Sequence, residues 1–346
     1  MKKIFTSIML IFTLGLSLTA CGGSGSKEVL NVYNWGDYID KSVIREFEDE
    51  FNVKVNYEEY ATNEEMLAKI EAGGTAYDVI FPSEYMVEYM LSKDLLNELD
   101  YTNLDNFKNI DERFTNLPYD SNSKHSVPYL WGTMGIVYNK NMVTEPVNSW
   151  EILWDEKYAG KILMLDSSRD TIGVTLKMLG YSLNTKNIDE LNEAKATLIE
   201  QKPLVRAYEV DTYKDQMIAE EAAMALCWSG DAMLLMDENE NLAYSIPQEG
   251  TNLWFDTMAV PKTSQNKELA EKFINFMMRP EIAAKNSDYI KYSSPNMEAL
   301  NFLPEKDTSN PYLYPTGDIN NIGEVFLDLG EFTTEYDKAW TEIKSS

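Results

Sequence analysis

The chain has 346 residues, 44% of them hydrophobic and 12% aromatic, which allows two domains with real cores and excludes disorder. Against 30 basic residues stand 57 acidic ones; the formal charge of −27 excludes a nucleic-acid partner and favours attraction of cations. One histidine, His125, and two cysteines, Cys21 and Cys227, are too few for a His-based triad, a His-rich metal site or a disulfide framework.

Lys2 and Lys3 precede an apolar stretch over 4–18 that is too short to cross a bilayer as a helix. Leu18-Thr19-Ala20-Cys21-Gly22 then resembles the bacterial lipoprotein signal. That resemblance implies a signal peptide over 1–20 and a diacylglyceryl thioether on Cys21. Two acyl chains give durable anchoring where one does not. Gly22-Gly23-Ser24-Gly25-Ser26 reads as a flexible tether, so 21–27 links anchor to domain. The expected location is the outer face of the cell membrane, or the periplasm.

Beyond the tether, strand and helix patterns alternate. Strands are expected at 29–33, 53–57 and 78–81, with helices between them carrying Val43, Ile44, Phe47 and Phe51, then Met66, Leu67 and Ile70. Gly73-Gly74 stops the second helix and Pro82 ends the third strand. This βαβαβ order predicts a parallel sheet covered on both faces. After Val137 the pattern restarts, with strands at 161–165, 204–208 and 223–228 and helices at 171–179, 188–201 and 267–278. Two α/β units without a long linker predict two lobes packed around a cleft.

Ligands of open parallel sheets bind beyond the carboxyl ends of the strands. Asn34-Trp35-Gly36-Asp37-Tyr38, Pro82-Ser83-Glu84-Tyr85, Asp166-Ser167-Ser168-Arg169-Asp170, Trp228-Ser229-Gly230-Asp231 and Trp254-Phe255-Asp256 stand at or near such ends. Indole faces attract ammonium groups and pack along methylenes, and carboxylates accept the ammonium N–H groups. Gly36 and Gly230 are expected to let backbone approach a ligand closely. Arg169 is expected to be a counter-charge that orients Asp170 or its neighbours. The alternative is a set of core tryptophans and helix-capping aspartates; recurrence of the pair in several non-adjacent loops favours a cation-binding cleft.

At these residues the chain resembles the spermidine/putrescine-binding proteins of polyamine ABC transporters, from about Val29 to the C-terminus. Further landmarks are Tyr77-Asp78-Val79-Ile80-Phe81-Pro82-Ser83, Val127-Pro128-Tyr129-Leu130-Trp131-Gly132, Ala259-Val260-Pro261 and Tyr292 with Ser294-Pro295-Asn296. The resemblance implies an α/β, periplasmic-binding-protein-like fold of two mainly parallel lobes with a hinge between them. It places one lobe at 28–132 plus 257–302 and the other at 133–256 plus 303–346, with crossing segments near 131–136 and 254–257. It implies an aromatic box of Trp35, Tyr38, Tyr85, Trp228, Trp254 and Tyr292, carboxylates from Asp37, Asp170, Asp231 and Asp256, and Ser83 as a polar contact. The implied partners are a small cationic ligand and a membrane permease; no cofactor, no metal and a monomer are expected.

Gly36, Ser167 and Phe326 depart from groups usual in spermidine-binding members, whereas Asp231 is the acid expected in putrescine-binding ones. The resemblance therefore implies putrescine over spermidine, with cadaverine and agmatine open. Two other classes remain: an extracellular hydrolase built on paired carboxylates such as Asp37 and Asp170, and an adhesin, which would show repeats that this sequence lacks.

Overall fold

The computed structural model describes residues 27–316 and 319–346; the signal peptide, Cys21 and nearly all of the tether lie outside them. In chain order the first unit is β1 (Val29–Trp35), α1 (Lys41–Phe51), β2 (Lys54–Tyr60), α2 (Asn63–Ala72), β3 (Val79–Ile80) and α3 (Glu84–Ser92). The first two helices start and stop on local chemistry. Asp40 accepts the Ser42 N–H at 2.8 Å to cap α1, and Gly73, in the left-handed region at φ 68°, closes α2.

Next comes β4 (Ser126–Asn139), followed by β5 (Ile162–Leu165), α4 (Ser168–Met178), α5 (Ile188–Gln201), β6 (Val205–Glu209), α6 (Tyr213–Ile218), β7 (Met224–Trp228), α7 (Ser229–Glu238) and β8 (Leu242–Ser245). The chain returns along β9 (Thr251–Ala259), α8 (Lys267–Met277) and α9 (Pro280–Ile290), then ends with α10 (Glu305–Thr308), β10 (Gly323–Val325) and α11 (Thr333–Ser345).

The strands follow the order β2-β1-β3-β9-β4-β7-β5-β6. β1 pairs in parallel with β2 and β3, and β5 with β6 and β7, as the alternating pattern requires. The middle is antiparallel. Ser126 to Thr133 of β4 pair with Ala259 to Leu253 of β9, while Met134 to Tyr138 pair with Trp228 to Met224 of β7. One strand thus serves two neighbourhoods in turn.

Packing divides at the same point. Trp131 and Phe255 belong to a core with Leu30, Val32, Phe47, Phe81 and Phe273; Met134 belongs to a second with Leu163, Leu165, Leu226 and Tyr244. A third cluster joins α4, α5 and α11 through Ile172, Leu176, Leu198 and Tyr336. The fold is two-lobed and α/β, with the antiparallel β4–β9 ribbon between the lobes. One sequence-based expectation fails here: Trp254 and Asp256 stand inside β9, not at a strand end. Every residue of β9 is buried, so it lacks the alternation that would have revealed a strand continuing through them.

Candidate functional site

Asp256 faces Leu130 across the ribbon, and Trp254, two residues earlier, shares its face of the strand. Asp256 is 7% exposed. Its Oδ2 accepts the Tyr38 hydroxyl at 2.6 Å and its Oδ1 the Ser83 hydroxyl at 2.7 Å. Asn63 Nδ2 ties the rest together, donating to Ser83 Oγ at 3.1 Å and to the Tyr85 hydroxyl oxygen at 2.9 Å. Tyr129 holds the Tyr38 backbone by donating to its carbonyl at 2.8 Å. Burial pushes the Asp256 carboxyl up to about 6, and the two hydroxyl donors only partly offset it. Among the described residues no lysine or arginine pairs with it.

Beneath this cluster Glu84 is fully buried and accepts the Phe255 N–H at 2.9 Å, fixing β9 against the start of α3. Burial pushes its carboxyl up to about 8, despite that donor. That raised value favours the uncharged acid near neutral pH.

An aromatic wall stands beside Asp256. Trp254 and Tyr292 meet edge to face with centroids 4.7 Å apart, and Tyr38 meets Tyr292 at 5.9 Å. Two glycines make room for it. A Cβ on Gly132 would lie 2.4 Å from the Trp254 ring, and one on Gly230 would lie 2.1 Å from the Tyr292 ring. Gly230 is therefore required by the packing of Tyr292, while Gly36 is exposed and a Cβ there would touch nothing.

Tyr292 also lies in the field of a second carboxylate. Asp231, 7% exposed in the first turn of α7, accepts the Tyr213 hydroxyl at 2.6 Å on Oδ2. Lys214 Nζ stands 3.7 Å from its Oδ1. Burial raises the Asp231 pKa, with Lys214 and Tyr213 pulling against it. Trp228, half-buried at the end of β7, packs against both main cores.

Asp170 is half-buried in the first turn of α4, where Ser167 donates to its Oδ2 at 2.7 Å. Burial pushes it up to about 6. Neither Asp170 nor Asp231 is a helix cap; Ser167 and Trp228 hold those positions. Among the described residues Arg169 makes no hydrogen bond to Asp170, although its charge pulls against the rise in the Asp170 pKa. Its guanidinium donates to the Leu327 carbonyl at 3.3 Å and Asn184 Oδ1 at 3.0 Å, and lies over Phe326 at 4.4 Å and Tyr85 at 5.9 Å.

Two predicted residues stand apart. Asp37 is exposed in a left-handed turn at φ 51° and gives the cluster no hydrogen bond. Trp35 is half-buried; its Nε1 donates to the Phe81 carbonyl at 2.8 Å and its ring leans on Tyr60 at 4.7 Å. Asn63, Glu84, Tyr129, Tyr213 and Lys214 were absent from the sequence-based site. Of these, Glu84, adjacent to Ser83, and Tyr129, inside the 127–132 landmark, carried a local hint. A cavity of about 310 Å³ lined by Phe114, Trp131, Ser294 and Tyr314 contains none of the candidate residues.

Two α/β lobes joined by a strand ribbon, with buried carboxylates and aromatic edges gathered along it, define a two-lobed solute-binding protein. The comparisons give the family. The model of the bacterial extracellular solute-binding protein matches residues 42–313, and the chain belongs to that family. It is 31% identical over 347 residues, covering 100% of this chain and 99% of the relative, to the spermidine/putrescine-binding periplasmic protein of Salmonella typhimurium. A solved Listeria monocytogenes structure, assigned to spermidine/putrescine ABC transport, is 42% identical with a TM-score of 0.88, covering 92% of this chain and 99% of that one. The Streptococcus pneumoniae spermidine/putrescine ABC transporter substrate-binding protein PotD is 39% identical with a TM-score of 0.82 at the same coverage. These relatives are binding proteins and transporter components, so the chain is a binding protein and not a carboxylate hydrolase.

Proposed function

We propose that the protein captures a small polyamine outside the membrane and delivers it to an ABC permease, with putrescine preferred to spermidine. The observation that carries this reading is the state of Asp256. It is a buried acid held by two neutral hydroxyl donors, beside the Trp254–Tyr292 edge, with no described protein cation on it. A ligand ammonium supplies the missing charge, and the aromatic faces take the methylenes next to it. Asp170 and Asp231 serve the far ammonium, with Trp35, Asp37, Tyr38, Ser83, Tyr85 and Trp228 completing the surround. The names of the relatives support a polyamine.

The preference for putrescine rests on the far end. Phe326 is buried under Arg169, and Ser167 is engaged with Asp170, so neither offers a free polar group to a longer triamine. Anchoring at Cys21, a monomeric state and lobe boundaries at 132/133 and 256/257 belong to the same proposal. The first boundary is supported by the change of core between Trp131 and Met134.

Calorimetric titration of the purified protein with putrescine, cadaverine, agmatine and spermidine tests it. Putrescine is expected to bind most tightly. Tighter spermidine overturns the preference, and heat from none of the four overturns the function.

A further inference from the structure

Of the four candidate carboxylates, Asp231 alone has a described protein cation within 4.0 Å. Lys214 Nζ stands 3.7 Å from Asp231 Oδ1 and 3.3 Å from Asp211 Oδ1. The two acids differ sharply: Asp231 is buried, while the Asp211 side chain is 80% exposed. Lys214 itself is 32% exposed, on a four-carbon stem with rotatable bonds. Burial works against its charge, and the fields of Asp231 and Asp211 outweigh that, so its pKa is raised and it stays an ammonium. The geometry is that of a cation resting between a buried acid and a solvent-facing one.

We propose that Lys214 is a tethered ammonium that competes with the ligand's own ammonium for Asp231, and so sets affinity and the choice between diamine and triamine. The inference rests on the amine-binding reading above. A ligand ammonium reaching Asp231 meets a like charge, and the lysine must swing to Asp211 to relieve it. A triamine, with a further positive charge to place, meets more of that repulsion than a diamine. Tyr213 keeps its hydrogen bond to Oδ2 throughout, so the exchange takes place on Oδ1 alone.

Calorimetry with putrescine and spermidine tests this on wild type, Lys214→Gln and Lys214→Arg. Lys214→Gln is expected to raise putrescine affinity roughly tenfold, and spermidine affinity more, while Lys214→Arg stays near wild type. Unchanged or weaker binding by Lys214→Gln, with wild type binding normally, overturns the competition. A wild type that binds neither amine overturns the underlying function instead. Asp211→Asn is the second arm, on an exposed side chain that leaves the core alone. It is expected to lower affinity about threefold, because the displaced lysine loses its alternative partner. Asp215→Asn makes the same charge change on an exposed residue of α6 that holds no ion pair among the described residues. A drop for Asp211→Asn no larger than for Asp215→Asn overturns the exchange.

Discussion

Asp256 and Asp231 are equally buried and both lie near Tyr292, yet they are held in opposite ways. Asp256 sits mid-strand, its oxygens met by hydroxyls from Tyr38 and Ser83. Asp231 sits on the first turn of a helix, with a hydroxyl on one oxygen and the Lys214 ammonium near the other. Among the described residues the first acid has no counter-charge in ion-pair range, while the second has one. On the proposed reading Asp256 is the strong end of the site and Asp231 the tempered end, where length selection would lie.

The largest expected effect breaks or supports this contrast directly. Asp256→Asn keeps the shape and removes the charge, and calorimetry should show putrescine affinity falling a hundredfold or more, about 3 kcal/mol. Asp231→Asn should cost only about tenfold, because it also releases the competing lysine. If Asp231→Asn proves the more damaging, the two ends have been assigned the wrong way round.

Acidity gives the next effect. Asp256 and Asp170 are both pushed up to about 6, and a bound ammonium favours their charged forms. Affinity should fall as pH drops below about 6, by up to roughly tenfold per pH unit for each group that gains a proton. Titrations in buffers of different ionisation enthalpy should detect proton release on binding near pH 6. The sign for stability runs the other way. A carboxyl with a raised folded pKa makes the amine-free fold lose stability as pH climbs from about 4 to about 6, on the order of 3 kcal/mol for Asp256. Thermal melts across that range, with and without putrescine, should converge at the acid end. Affinity that stays flat from pH 5 to 7 removes the charge-based account.

Smaller effects sharpen the region between the two acids. Gly230→Ala drives a methyl into the Tyr292 ring, which should cost about 1–3 kcal/mol of stability in a denaturant melt and about tenfold in affinity. Tyr213→Phe removes a single hydrogen bond to Asp231 and should change affinity only severalfold, about 1 kcal/mol. A loss far beyond tenfold would place Tyr213 on the ligand itself.

The parallel units were legible because β1, β3, β5 and β7 are short hydrophobic runs separated by periodic helices; α5 fell on its expected limits of 188–201. The ribbon was not. Pro128, Gly132 and Gly135 break up β4 to the eye, yet the strand runs through all three because β9 pairs its first half and β7 its second. Asp256 and Trp254 were recognised as residues but assigned to a loop. Asn63 and Lys214 look like ordinary helix surface, and only tertiary placement turns one towards Ser83 and the other towards Asp231. Arg169 was legible only as a nearby charge for Asp170; that its planar group hydrogen-bonds a carbonyl and an amide and lies on an aromatic face came from tertiary placement.

The β4–β9 ribbon also fixes how the halves can move. Opposed lobes on a loose loop could tumble freely, but here they share hydrogen-bonded strands that hand over from one neighbour to the next at Thr133 and Met134. Opening the molecule therefore means wringing a two-strand leaf spring, with the bonds kept and the twist altered. Trp254 and Asp256 are mounted on that spring. On the proposed reading, a torque that parts the lobes would also rotate the side chains of the binding site, coupling release to opening.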